Sequence, residues 1–256
     1  MQKRIRFRLK NPKGARIIPH MRTLVIGDIH GNLVALKQAF ERSEFDRKKD
    51  RLVSLGDVFD GHPYSAECVD ELLKVKNLVW CLGNHDTLAL SWLRGEWDGR
   101  KTLGVWRYAE LVKIMFSYGA GKTAADRKRI KEHAEFMVRK SVPYHVDEAR
   151  RLYVHAGIDW DYPVDKQPDP EVYYYDRKTY ALFAQLYDRG GKKFPYRDVF
   201  VGHTKTIGEY PDGKPVRRAN LWNLDTGAGT FGKLTIMDAD THEYWQSDWS
   251  EERGED

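Results

Sequence analysis

Leu24-Val25-Ile26-Gly27-Asp28-Ile29-His30-Gly31-Asn32 is a stretch in which an apolar run stops at a glycine and gives way to an aspartate and a histidine two positions apart. The run reads as a buried strand. Beyond it Leu33, Leu36 and Phe40 fall at helical spacing, which predicts an amphipathic helix over 33–44. Asp28 and His30 then sit at the mouth of a strand, where open α/β sheets hold their ligands. An Asp-x-His pair can chelate one metal ion, and its weight here comes from what repeats further along.

Working outward, Leu52-Val53-Ser54-Leu55 is a second strand that ends in Gly56-Asp57, and Val69, Leu72 and Leu73 mark a helix at about 65–75. Leu78-Val79-Trp80-Cys81-Leu82 is a third strand, ending in Gly83-Asn84-His85-Asp86. The aspartates and the asparagine are spaced 57 − 28 = 29 and 84 − 57 = 27 residues apart. Alternating strands and helices of this length imply right-handed crossovers and a parallel sheet, with the polar strand ends on one edge. The second half repeats the device: Leu152-Tyr153-Val154 runs into His155-Ala156-Gly157, Val199-Phe200-Val201 into Gly202-His203-Thr204, and Leu221-Trp222-Asn223-Leu224 into Asp225-Thr226-Gly227. Leu234–Met237 and Glu243–Gln246 flank Asp238-Ala239-Asp240-Thr241, a hairpin signal, so this half is β-rich and antiparallel or mixed.

Residues 88–145 differ in texture. Trp92, Trp97, Trp106, Tyr108, Phe116 and Tyr118 make them aromatic, Gly119-Ala120-Gly121 breaks them, and a basic helix follows over 123–141. They read as a mostly helical cap inserted into a single domain spanning 1–256. The basic run is a solvated helix face. Residues 1–20 alternate basic and apolar types, suiting an edge strand or a loose arm. Tyr180, Leu182, Phe183 and Leu186 suggest a short helix, and the acidic tail after Asp248 a frayed end.

At 256 residues with 41% apolar side chains the chain can bury a sizeable core. Forty-three Lys and Arg against 38 Asp and Glu leave a formal charge of +5, which suits anionic substrates but is too small and too spread out to demand nucleic acid. Cys68 and Cys81 lie in apolar or helical context and read as free thiols. No apolar stretch of membrane-spanning length occurs and no secretory signal pattern opens the chain, so a cytoplasmic location without membrane contact is expected.

The strand-end residues are carboxylates, imidazoles and an amide, a donor set for Mn, Fe or Zn. Asp28, His30 and Asp57 can hold one ion, and Asp57, Asn84, His155 and His203 a second, with Asp57 shared between them. Two cations about 3.5–4 Å apart can activate a hydroxide and clamp phosphate oxygens. His85, with Asp86 beside it to hold its tautomer and raise its pKa, is the candidate proton donor to a leaving group.

Gly27-Asp28-Ile29-His30-Gly31, Gly56-Asp57-Val58-Phe59-Asp60, Gly83-Asn84-His85-Asp86, His155-Ala156-Gly157 and Gly202-His203 together resemble the motifs of the calcineurin-like metallophosphoesterases. Within them the chain is most similar to the phosphoprotein phosphatase branch and its bacterial relatives, the symmetrical diadenosine tetraphosphatases included. Leu224-Asp225-Thr226-Gly227-Ala228 and Gly232-Lys233-Leu234-Thr235 also resemble the C-terminal strands of those bacterial enzymes, so the likeness runs from about residue 22 to 246. It implies a four-layer α-β-β-α sandwich of two mixed sheets, two divalent metals (Mn, or Fe and Zn), and direct attack by a metal-bridging hydroxide on a phosphomonoester. The expected activity is that of a Ser/Thr protein phosphatase acting on a phosphoprotein. A nucleotide or dinucleoside polyphosphate hydrolase is the alternative, and a nucleic-acid end phosphatase or phosphodiesterase a third. A non-catalytic phosphate-binding protein is the reading from another class.

One departure stands out. The family's second motif carries an arginine directly after its second aspartate, whereas Asp60 here is followed by Gly61 and His62. A glycine cannot grip phosphate as a guanidinium does. His62, or a basic residue arriving from the cap, is expected to fill part of that role. Arg177, in Tyr175-Asp176-Arg177, matches the place of a second phosphate-binding arginine of the family.

Overall fold

Strand β1 (Thr23–Ile26) pairs in parallel with β2 (Arg51–Ser54), and β2 with β3 (Asn77–Cys81), through the crossover helices α1 (Leu33–Arg42) and α2 (Ser65–Leu73). This computed structural model describes residues 21–96, 105–178, 180–182 and 193–250, with only the backbone of 105–107. The expected arm at 1–20, Trp97, the 183–186 part of the expected short helix and residues 251–256 of the acidic tail lie outside the described residues.

Helix α1 begins where the sequence signals it, the Asn32 side chain accepting the Ala35 amide at 3.0 Å as an N-cap. Helix α3 (Asn84–Leu93) begins earlier than apolar spacing implies, directly at the strand-end motif. Helices α4 (Val105–Ser117) and α5 (Ala124–Lys140) follow, α5 opening with a Thr123/Asp126 capping box. The chain then enters β4 (Ser141–Val142), β5 (Tyr144–Val146) and β6 (Leu152–Val154). After the short helix α6 (Val172–Tyr175) come β7 (Val199–Val201), β8 (Val216–Arg218), β9 (Leu221–Asn223), β10 (Thr235–Asp238) and β11 (Tyr244–Gln246).

Two mixed sheets result, one ordered β11-β10-β1-β2-β3-β4 and the other β5-β6-β7-β9-β8. The β10–β11 hairpin closes over Asp238, as the turn signal predicts, and joins the first sheet antiparallel to β1. The period-two alternation of each strand explains the layering. Leu24, Ile26, Leu52, Leu78, Trp80 and Ile236 face one way, into a cluster with Leu36, Phe40, Val69 and Leu72 of the helices. Val25, Val53, Cys81 and Met237 face the other way and meet Tyr153, Phe200 and Leu224 of the second sheet. The outer face of the second sheet, with Leu152, Val154, Val199 and Val201, is covered by Tyr173 of α6 together with Tyr180 and Phe194. The architecture is therefore a four-layer α-β-β-α sandwich.

The helical segment after α3 packs in register with the first outer layer. Ile114 and Tyr118, and Phe136 and Met137 of α5, share the cluster that contains Trp80. Tyr118 donates to or accepts from His133 at 2.8 Å, and His133 meets Asp70 of α2 at 3.0 Å, so the segment is tied to the sandwich by polar as well as apolar contacts. Two close approaches then bring strand ends together. A Cβ at Gly83 would lie 2.0 Å from Asp57 Oδ1, and one at Gly202 would lie 2.0 Å from Asp28 Oδ1. Glycine is required at both because the carboxylates occupy that space.

Trp80 is fully buried between β3 and the helices. Trp80→Ala should destabilise the protein by about 3–5 kcal/mol in urea or guanidinium unfolding, and a loss under about 1 kcal/mol would contradict this packing.

Candidate metal centre and its flanking carboxylates

The C-terminal ends of β1, β2, β3, β6 and β7 converge, as their sequence motifs imply, and Asp57 is at the centre of the convergence. Its Oδ1 accepts the His85 backbone N–H at 3.0 Å. Its Oδ2 lies 3.3 Å from His155 Nε2, 3.8 Å from His30 Nε2 and 3.8 Å from His85 Nε2. Asn84 Oδ1 and His203 Nδ1 each stand 3.2 Å from the same His155 Nε2. Two donor groups thus share Asp57, one with His30 and His85 and one with His155 and His203.

The imidazoles are aimed from behind. His155 Nδ1 donates to the Leu55 carbonyl at 2.8 Å and His30 Nδ1 to the Phe59 carbonyl at 3.1 Å, an assignment that follows from the acceptors and leaves each Nε2 facing Asp57. His30, Asp57, Asp60 and His203 all adopt positive φ, a conformation that costs non-glycine residues energy and persists where surrounding structure dictates it.

Burial opposes charge on Asp57, but His155, His85 and His30 outweigh it and hold its carboxyl far below the usual range. Burial lowers His30 to about 4 and, with the His155 charge, His203 to about 3, so both are neutral at pH 7 and offer lone pairs. His155 is also buried, yet the Asp57 charge and hydrogen bond, with Asp28 behind them, push it up to about 10. Burial and the neighbouring Asp225 raise Asp28 well above the ordinary carboxylate value. Burial likewise raises Asp225, to about 6.

A divalent transition metal fits this donor set of carboxylates, imidazoles and an amide, His30 and His203 being neutral already and His155 giving up its proton to the cation. Asp28 Oδ1 and His203 Nε2 are buried without a hydrogen-bond partner, a costly arrangement that a cation would relieve. Asp28 itself stands outside the two groups, its Oδ2 accepting the His203 amide at 3.0 Å.

Two expectations are corrected. Asp86 does not back His85. As the third residue of α3 its carboxylate turns inward and accepts Gly83 N at 3.1 Å, Trp80 Nε1 at 2.8 Å and Val58 N at 2.8 Å. Adjacent residues on a helix are about 100° apart, so one that caps the helix cannot also serve its neighbour. The carboxylate beside His85 is Asp60, with Oδ2 3.5 Å from His85 Nδ1, and Glu110 Oε2 of α4 lies 3.8 Å from the same nitrogen. His62 is engaged elsewhere than at phosphate: its Nε2 donates to the Ala228 carbonyl at 3.1 Å and lies 3.3 Å from the Asn32 amide. Arg177 does reach the cluster, its Nη1 donating to the His203 carbonyl at 3.3 Å. Asp60 was visible in its motif but without a role. Asp225 was likewise visible, and Glu110 carried no signal at all.

The calcineurin-like phosphoesterase family model matches residues 21–217, and the chain belongs to that family. It is a metal-dependent phosphoric ester hydrolase. It is 27% identical over 217 residues to a serine/threonine-protein phosphatase 1 of Salmonella typhimurium, covering 83% of this chain and 89% of that protein. It is 31% identical over 140 residues to a symmetrical bis(5'-nucleosyl)-tetraphosphatase of Pseudomonas fluorescens, a match covering 54% of this chain and 43% of that protein. The fold is shared with a protein serine/threonine phosphatase of Saccharomyces cerevisiae, at TM-score 0.56 and 14% identity, covering 93% of this chain and 82% of that one.

Gly202→Ala should push Asp28 aside and weaken metal uptake by about tenfold or more, as loss of a supporting contact does, with Gly208→Ala, whose Cβ meets open space, as the control. Metal titration followed by elemental analysis reads both, and equal affinity in the two variants would contradict the close approach.

Proposed function

We propose that this chain is a dinuclear phosphomonoesterase of the Ser/Thr protein phosphatase type. The observation that supports it best is the sharing of Asp57 Oδ2 by imidazoles from both sides, which suits one carboxylate bridging two cations. His30, Asp57 and Asp28 would hold one cation; Asp57, Asn84, His155 and His203 would hold the other. Mn is the metal we expect, with Fe and Zn as alternatives. When bound, such cations acidify water and offset charge on a phosphoryl group.

The chain's own residues then divide the work. Arg177, held against the His203 carbonyl, meets phosphate oxygens. His85 turns Nε2 toward Asp57 and Nδ1 toward Asp60, so the ring can deliver a proton from Nε2 to the leaving oxygen while Asp60 stabilises the charged ring. Helices α4 and α5 form a cap on a single catalytic domain, the rest of 88–145 belonging in part to α3 and to the sheet strands β4 and β5, and α4 overlooks this dyad through Glu110. Among the described residues no helix is long and apolar enough to cross a membrane, and Cys68 and Cys81 are buried free thiols, which suits a reducing cytoplasm.

The second reading, hydrolysis of a dinucleoside polyphosphate, is favoured by the Pseudomonas relative. Turnover of a phosphopeptide and of a dinucleoside polyphosphate at equal concentration with Mn separates the two. The protein phosphatase reading expects the phosphopeptide to be the better substrate, and a preference for the nucleotide would replace it. Within either reading, His85→Asn and Asp60→Asn should each lower kcat by about 100-fold on an alkyl phosphate and by less on p-nitrophenyl phosphate, whose leaving group needs no proton. Asp86→Asn should instead show chiefly as a lower melting temperature. Equal slowing of both substrates by His85→Asn would contradict the proton-donor role.

A further inference from the structure

Gly61 leaves one edge of the site without a cation of its own. Its φ is +73°, and a Cβ there would lie 2.9 Å from both the His30 Cβ and the His30 carbonyl oxygen. A side chain here would require the backbone to shift, and this chain carries none, so a cation at that edge has to come from another element. Helix α4 provides it. Lys113 Nζ lies 3.5 Å from Asp60 Oδ1, while the other oxygen, Oδ2, lies 3.5 Å from His85 Nδ1. Glu110, one helical turn earlier on the same face, reaches His85.

The Lys113–Asp60 contact is loose. At 3.5 Å it exceeds a good N–H···O hydrogen bond, and Asp60 Oδ1 is buried without a hydrogen-bond partner. The lysine side chain is 56% exposed, so its head can swing on a flexible stem. A phosphate dianion arriving beside His85 would meet the carboxyl groups of Asp57, Asp60 and Glu110. It needs a compensating charge on this side as well as Arg177 on the other.

We propose that Lys113 is a phosphate-binding residue: its ammonium leaves Asp60 Oδ1 to pair with the substrate's phosphoryl oxygens, so that the cap helix completes the site. This rests on the phosphatase reading above. An ammonium serves as a point charge and does not fix the phosphate as a bidentate guanidinium would. The expected consequence is a site that binds phosphate with modest strength and depends on how α4 is seated.

Inorganic phosphate titrated calorimetrically into the Mn-loaded protein, alongside p-nitrophenyl phosphate kinetics, tests this in the wild type, Lys113→Met and Lys113→Arg. Lys113→Met should weaken phosphate binding about tenfold, with most of the kinetic loss in KM, and Lys113→Arg should recover both to within about threefold. Unchanged phosphate affinity and KM in Lys113→Met, at unchanged metal content and melting temperature, would overturn the assignment. Should the wild type hold Mn but turn nothing over, the phosphatase reading fails instead, and the calorimetric comparison still decides Lys113.

Discussion

The buried charge of Asp57 is the constraint on which the rest depends. A carboxylate removed from water costs several kcal/mol unless it is paired and hydrogen-bonded. Here the pairing comes from far along the chain: the His85 amide on Oδ1, and the imidazoles of His30, His85 and His155 around Oδ2. None of these partners is next to Asp57 in sequence, so the carboxylate is satisfied only when both sheets are formed and in register. The left-handed backbone at His30, Asp57, Asp60 and His203 fits this view, since each costs on the order of 1–3 kcal/mol and the sandwich must impose it.

The sandwich does so through two devices. Period-two strands let Val25, Val53 and Cys81 seal against Tyr153, Phe200 and Leu224, which fixes the distance between the sheets. At the edge of that seal glycines replace side chains. Gly83 admits Asp57 within the first sheet and Gly202 of the second sheet admits Asp28 of the first, so the strand ends come within ligand distance of common points. Helix α3 contributes in a third way. Its first turn presents Asn84 and His85 to the site and turns Asp86 inward, onto Trp80 and the amides of Gly83 and Val58.

Much of this was legible in the sequence, for a definite reason. Apolar runs that stop at Gly-Asp, Gly-Asn-His or Gly-His give both the strand and its end, and parallel topology brings such ends to one edge. That accounts for the sheet of β1, β2 and β3, the β10–β11 hairpin and the gathering of His30, Asp57, Asn84, His155 and His203. What did not follow were directions within a turn and contacts between distant segments. Asp86 stands next to His85 in the chain, yet the start of α3 at Asn84 sends their side chains different ways. The carboxylate that faces His85 is Asp60, twenty-five residues earlier. His62 was expected at phosphate because it follows Gly61, but the docking of the Ala228 carbonyl claims its ring. Glu110 and Lys113 belong to a stretch readable only as part of an aromatic-rich, mostly helical segment, and only the packing of α4 against α2 and α3 shows that its polar face meets the site.

The central claim is that Asp57 is shared by two cations. Anomalous scattering at the manganese edge from Mn-soaked crystals tests it most directly. Two peaks on either side of the Asp57 carboxylate, one near His30 and the other near Asn84, His155 and His203, are the predicted result. A single peak, or a pair in which Asp57 touches only one, would contradict it.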